Sequence, residues 1–291
     1  MGIFTGKLLV SDMDATLLDS RGRISDRNRQ AIDYFISEGG YFTVASGRMV
    51  SAVRAYFDRM RINAPAILHN GAKLYDYSTE TAVYENFIEK ERKPIFRRVR
   101  DEHPELGIEI YSDETVYVYR KNFATERFKT KPYKVVYELP EEVWQRPWIK
   151  ALIIGTREQL DAFEPIYRRD YDKGYSVRSG DCFLDIVATG SSKGAGLIRL
   201  AGELGVTETY AVGDNMNDID MLRAAHRSYA VANAEPEVKA VADENAPSCD
   251  ESPVEYIVRS IKKMPDGIST PLTPQSWGGR VVVSGGNCVS P

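Results

Sequence analysis

The chain has 291 residues, 43% of them hydrophobic and 27% charged, which is the composition of a globular protein and excludes the disordered and fibrous classes. Its 38 Lys and Arg against 42 Asp and Glu leave a net charge of −4, so no field exists that would hold a nucleic acid by phosphate neutralisation. Apolar runs stay far below the roughly 18 residues that a membrane span needs, and neither a nucleic acid nor a membrane partner is expected. The opening residues, MGIFTGKLLVSDMD, lack the apolar core of a secretory signal because Asp12 and Asp14 interrupt them, and a cytoplasmic location is expected. Cys182, Cys249 and Cys288 form no C-x-x-C pair for structural zinc.

Residues 7–11, KLLVS, read as a short buried strand that stops at Asp12. Ser25 then caps a helical pattern in which Ala31, Ile32, Phe35 and Ile36 share a face, and Gly39 and Gly40 end it. Residues 41–46 predict the next strand, 51–60 a helix and 66–69 a third strand, an alternation that implies a parallel sheet covered by helices. The pattern changes after Gly71. Residues 73–75 with 82–85 predict one β-hairpin, and 109–111 with 115–119 another. Arg92, Lys93, Arg97, Arg98 and Arg100 fall in a helical pattern with a solvated face, and Trp144 and Trp148 are expected to pack. Residues 148–154 add a strand and 158–171 a helix carrying Leu160, Phe163 and Tyr167. The first style returns with helix 194–204, strand 209–212, helix 218–225, strand 228–232 and helix 236–242. Ser252, Pro253 and Glu255 offer an N-cap, a first-turn proline and a capping-box partner for a last helix through residue 261. Residues 265–291, rich in Gly and Pro, predict a flexible or artificially appended tail whose strand-like run is 281–283. The expected fold class is α/β, a doubly wound, Rossmann-like parallel-sheet core with an inserted α+β unit.

Chemistry concentrates where the predicted strands end. Asp12-Met13-Asp14-Ala15-Thr16 follows the first strand directly, and loops at the carboxyl ends of parallel strands are where α/β sheets build sites. Two carboxylates on one tight loop raise each other's cost of ionisation, which suits a hard divalent cation or a nucleophile beside a general acid. A second acidic loop lies within AVGDNMNDID, residues 211–220. If the two strands are neighbours, Asp12, Asp14 and Asp214 converge on one cation, with Asn217 and Asp218 orienting its waters. Ser46, Gly47 and Arg48 follow the second strand, where a hydroxyl and backbone N–H groups can grip phosphate oxygens. Lys193, among Ser191, Ser192 and Gly194 at a helix entrance, can neutralise a carboxylate and a phosphoryl oxygen together.

Taken in order, Asp12-Met13-Asp14-Ala15-Thr16, Ser46-Gly47-Arg48, Lys193 and Gly213-Asp214-Asn215-Met216-Asn217-Asp218 resemble the four motifs of the haloacid dehalogenase-like superfamily. The resemblance is in particular to its Cof-type (subclass IIB) phosphatases, which carry a large cap between the second and third motifs. Asn70-Gly71-Ala72 also resembles the asparagine-glycine turn after their third strand. The resemblance covers roughly residues 7–262. It implies a catalytic core in residues 1–82 and 187–264, and a substrate-selecting α+β cap in 83–186, with residues 179–185 a candidate contributor. It also implies Mg²⁺-dependent hydrolysis of small phosphorylated metabolites, either sugar phosphates or phosphorylated cofactors such as a flavin or pyridoxal phosphate.

Carried over residue by residue, the resemblance makes Asp12 the nucleophile that forms an aspartyl-phosphate, and Asp14 the acid and base. Ser46 and Lys193 hold the transferring phosphoryl group, while Gly47, Arg48, Asn70 and Gly71 border the substrate entrance. Mg²⁺ falls to the Asp12 and Asp214 carboxylates and the Asp14 backbone carbonyl, with Asn217 or Asp218 acting directly or through water. Thr16 orients the loop. Ala15 stands where the family most often has glycine, so a negative φ is expected there, and the stretch around Asn233 is poorer in glycine than usual. A phosphomannomutase-like phosphoryl transferase and a non-catalytic phosphate-ligand binding protein are the alternatives, and the presence of Asp12, Asp14 and Lys193 together weighs against the second. Either a monomer or a homodimer is compatible with the sequence.

Overall fold

Apolar runs that stop at a polar or glycine residue assemble into one parallel sheet. The computed structural model describes residues 2–130, 133–172 and 174–262. The expected tail at 265–291 lies outside them. The sheet runs Glu244–Ala246, Arg227–Val231, Glu208–Gly213, Lys7–Ser11 and Tyr41–Val44, every neighbouring pair parallel. Ala45 bridges to Ile67 and so brings the Ala66–Leu68 strand alongside. From Lys7–Ser11 the chain first builds outward on one side, then returns and builds outward on the other. The strand order therefore reverses between Lys7–Ser11 and Glu208–Gly213, and a crevice opens at their carboxyl ends. Helices Asp26–Ser37 and Pro253–Ile261 pack together, as do Lys193–Leu204 and Ile219–Ala224, and their apolar residues join one buried cluster with the sheet.

Between these halves, Lys73–Asp76 and Thr81–Glu85 form the expected hairpin, and Lys73–Asp76 also pairs antiparallel with Ala66–Leu68. The chain then builds a six-stranded sheet in the order Ser176–Arg178, Phe183–Val187, Lys150–Ile154, Gly107–Ser112, Thr115–Arg120 and Lys134–Val136. Only its last pair is parallel. Side chains alternate across this sheet. Ile108, Ile110, Ala151, Ile153, Leu184 and Ile186 join Phe96, Leu160 and Phe163 of the helices Pro94–Glu102 and Arg157–Ile166. Tyr111, Leu152, Ile154 and Phe183 face the other way and pack with Met49, Ala52 and Ala72 of the first body. The inserted sheet thus covers the carboxyl end of the parallel sheet.

Several details depart from the sequence reading. The helix expected at 51–60 is α-helical only over Val50–Arg54, after which bonds from Tyr56 N to the Val53 carbonyl and from Phe57 N to the Arg54 carbonyl tighten the chain into turns. The helix expected to reach residue 171 is regular to Ile166, has Pro165 inside it, and widens over Tyr167–Tyr171. Ser252 does not cap the last helix through its side chain. It sits at φ 62°, and the Glu255 amide is taken by Asn28 Oδ1 of a distant helix. Arg92 and Lys93 are buried rather than solvated. Arg92 pairs with Asp172 at 2.6 Å and Glu89 at 2.8 Å, and Lys93 donates to the backbone carbonyls of Trp144 and Arg146. Trp144 and Trp148 pack on each other, their ring centres 5.0 Å apart.

Candidate active site

Asp12 follows Ser11, which is paired with Val212, so the loop after the first strand and the loop after Glu208–Gly213 emerge side by side. The Asp12 amide donates to the Val212 carbonyl at 2.9 Å, continuing the ladder one residue into the loop. One carboxylate oxygen from each of Asp12, Asp214 and Asp218 lies within 4.8 Å of the others. Each of the three is held by a different device. Thr16 Oγ1 donates to Asp214 Oδ1 at 2.7 Å. Asp218 Oδ2 accepts the amides of Asp214 and Asn215, both at 3.1 Å, which closes the acidic loop on itself. Gly213 permits that closure, because a Cβ there would come within 2.5 Å of Asp218. Lys193 donates to Asp12 Oδ1 at 2.5 Å and to Asp218 Oδ1 at 2.7 Å.

Lys193 reaches this point because Ser192 caps its helix, the hydroxyl accepting the Ala195 amide at 3.1 Å. Gly71 lets the helix start come close: at φ +88°, with a hypothetical Cβ 1.9 Å from the Ser192 carbonyl oxygen, no other residue fits. Burial pushes the Asp12 carboxyl up to about 7, Lys193 opposing the rise and Asp218 and Asp14 adding to it. Burial, then the charges of Asp12 and Asp218, hold Asp214 well above the usual carboxylate range. Burial disfavours the Lys193 ammonium, yet the Asp12 and Asp218 carboxylates outweigh it and raise its proton affinity. A single ammonium thus leaves the carboxylates short of positive charge. An all-oxygen donor set with that deficit suits a hard divalent cation.

The sequence also expected Asp14, Ser46, Gly47 and Arg48 here, and all four line a cavity of about 250 Å³ with Asp12, Asp214 and Asn217. Both oxygens of Asp14 are engaged by Arg48, at 2.8 Å from Nε and 2.5 Å from Nη2. The Arg48 amide donates to Ser46 Oγ at 3.2 Å. Asn70 and Gly71 stand behind the cavity lining. Asn70 Oδ1 accepts from Asn217 Nδ2 at 3.1 Å, and the buried Asn217 Oδ1 has no hydrogen-bond partner among the described residues. The three-carboxylate cluster contains Asp218, and Asn217 lines the cavity beside Asp12 and Asp214. Ala15 does not take the negative φ expected of it. It lies at φ 54°, where Asn233 Nδ2 grips its carbonyl at 2.8 Å while Asn233 Oδ1 accepts the Cys249 amide at 2.8 Å. Over the cavity, the inserted unit contributes Tyr111, Lys150, Phe183 and Asp185 from its strands and Tyr133 from just before one. Of these, the sequence pointed only to the 179–185 loop; strand alternation marks Lys150 and Asp185 as sharing a face, but not which face meets the core.

The model of the haloacid dehalogenase-like hydrolase family matches residues 9–258, from the first strand into the last helix. The chain belongs to that family. A phosphatase of Bacillus subtilis is 26% identical over 285 residues, covering 88% of this chain and 99% of its own. The pyridoxal phosphate phosphatase of Escherichia coli is 28% identical over 258 residues, covering 82% and 92%. The crystal structure of a haloacid dehalogenase-like hydrolase from Bacteroides thetaiotaomicron is 26% identical, with a TM-score of 0.75 over 88% of this chain and 99% of that one. This haloacid dehalogenase-like protein is thus a phosphoric monoester hydrolase of the Cof type, and its acidic cluster is one that can hold a metal ion. Among the described residues, no helix is long and apolar enough to cross a membrane.

Proposed function

We propose that the protein hydrolyses small phosphorylated metabolites with Mg²⁺ as cofactor, through a phosphoryl group carried on Asp12. One observation carries this reading: the carboxylate at the end of the first strand shares a 4.8 Å cluster with Asp214 and Asp218 and is paired with a buried lysine. Asp12, Asp214 and Asp218 would hold the ion, which when bound offsets the charge between nucleophile and phosphate. Asp12 attacks phosphorus, forming an acyl-phosphate bond as the ester oxygen leaves. Asp14 gives that oxygen its proton, then takes a proton from the water that attacks phosphorus and frees Asp12 and inorganic phosphate. Arg48 occupies both Asp14 oxygens. Arrival of a phosphate offers the guanidinium a second anion and frees the carboxyl for these transfers. Ser46 and Lys193 brace the phosphoryl oxygens, the electrostatic part of the catalysis.

Residues 1–82 and 187–264 form the catalytic body in this reading, and 83–186 the cap that selects the leaving group. The named substrate of the Escherichia coli relative supports phosphorylated cofactors alongside sugar phosphates. The test is phosphate release from a panel that includes pyridoxal phosphate and hexose phosphates, with Mg²⁺ and with chelator. Release with Mg²⁺, lost on chelation and reduced more than about a thousandfold in Asp12→Asn, is expected. Full activity in chelator, or an Asp12→Asn protein that keeps most of its rate, would refute it. Formation of an isomeric sugar phosphate in place of inorganic phosphate would favour phosphoryl transfer to a second hydroxyl.

A further inference from the structure

The roof of the cavity holds a charged pair that the proposed chemistry does not use. Lys150 begins one strand of the inserted sheet and is 6% exposed, and Asp185, on the neighbouring strand, is 1% exposed. The Lys150 ammonium lies 2.9 Å from Asp185 Oδ1 and 4.7 Å from the centre of the Tyr111 ring. Ser179 donates its hydroxyl hydrogen to the other Asp185 oxygen. A buried ion pair is expensive to desolvate and is weak evidence for stability alone. Among the described residues the ammonium makes one further hydrogen bond, and it crosses to the other body: Nζ donates to the Gly47 carbonyl at 2.8 Å.

That carbonyl belongs to the same peptide unit as the Arg48 amide, which donates to Ser46 Oγ. A continuous path therefore runs from the Lys150 ammonium through the Gly47 carbonyl and the Arg48 N–H to the Ser46 hydroxyl. We propose that Lys150 is a latch and positioning residue: seating the cap delivers its ammonium to the 46–48 turn, fixes that peptide and polarises the Ser46 hydroxyl toward the phosphoryl group. Charge-assisted bonds in a chain strengthen one another, and Ser46, accepting from Arg48, keeps its own hydrogen to donate. Asp185 holds the ammonium on the cap side. The turn is then complete only while the cap is seated, which ties leaving-group recognition to chemistry. This inference rests on the phosphatase reading of the turn.

The test compares full-length wild type with K150M, K150R and the double variant K150M/D185N, which leaves no unpaired buried carboxylate. With nitrophenyl phosphate as substrate, kcat should fall on the order of tenfold in K150M and in the double variant, more than KM changes, and K150R should recover part of it. In hydrogen exchange, the peptide containing residues 46–49 should exchange faster in both methionine variants, while the strand at 107–112 keeps wild-type protection. Wild-type kcat in K150M, or its full return in the double variant, overturns the latch. A wild type that releases no phosphate from any ester overturns the parent reading instead. Exchange over 46–49 still decides the latch in that case, unchanged protection in both methionine variants overturning it.

Discussion

Asp12 carries two demands that conflict without a cation. In its proposed role as nucleophile it must be ionised, yet burial lifts its carboxyl to about 7, against 3.8 in its ordinary state. The folded protein then binds a proton that the unfolded chain has released, so without metal this residue's contribution to stability is full below about pH 4 and falls as pH rises toward 7. In chelator at pH 8, Asp12→Asn should therefore melt above wild type, with the gap shrinking toward pH 4, as thermal unfolding across that range will read. A wild type as stable as the variant at pH 8 would contradict this. Thr16 tests the proposed metal site: Thr16→Val removes the donor to Asp214 and should weaken Mg²⁺ binding by about 10–100-fold, measured by calorimetry. Which residues stand at the strand ends could be read from the chain, because a buried apolar run that stops at an aspartate has few other readings. The conformation of Ala15 could not, since it depends on an amide more than two hundred positions away at Asn233.

At the scale of elements, the site depends on how closely two backbones approach. Gly71 meets the start of the lysine-bearing helix, where any side chain would overlap the Ser192 carbonyl. Gly71→Ala should cost about 3 kcal/mol or more of stability and displace Lys193, whereas Gly202→Ala, with open space around it, should cost nothing or add slightly. Denaturant unfolding of the two variants checks both. Helix and strand order was legible because local periodicity and caps such as Ser25 act within a few residues. Departures arise where a distant group intervenes: Asn28 takes the role expected of Ser252, and Asp172 turns Arg92 inward. Lys150 was hidden, and Asp185 visible only as part of the 179–185 loop, for a related reason, because the face of the inserted sheet that meets the core is set by packing of Tyr111, Leu152 and Phe183 against Met49 and Ala52.

Over the whole molecule, the acidic cluster joins residues from both ends of the described chain, so an ion bound there holds the fold together across the insertion. Mg²⁺ at a hundredfold excess over its dissociation constant should stabilise by about 2.7 kcal/mol, seen as a rise in melting temperature that Asp214→Asn abolishes. The order of the four motifs and the size of the insertion made the two-body plan readable, whereas the seating of one body on the other required coordinates. The most direct measurement is mass spectrometry of protein quenched in acid during turnover of a phosphomonoester. A phosphoryl-sized increment on the peptide containing Asp12, absent in Asp12→Asn, is predicted. A phosphoryl group on any other residue, or none while phosphate is being released, would contradict it.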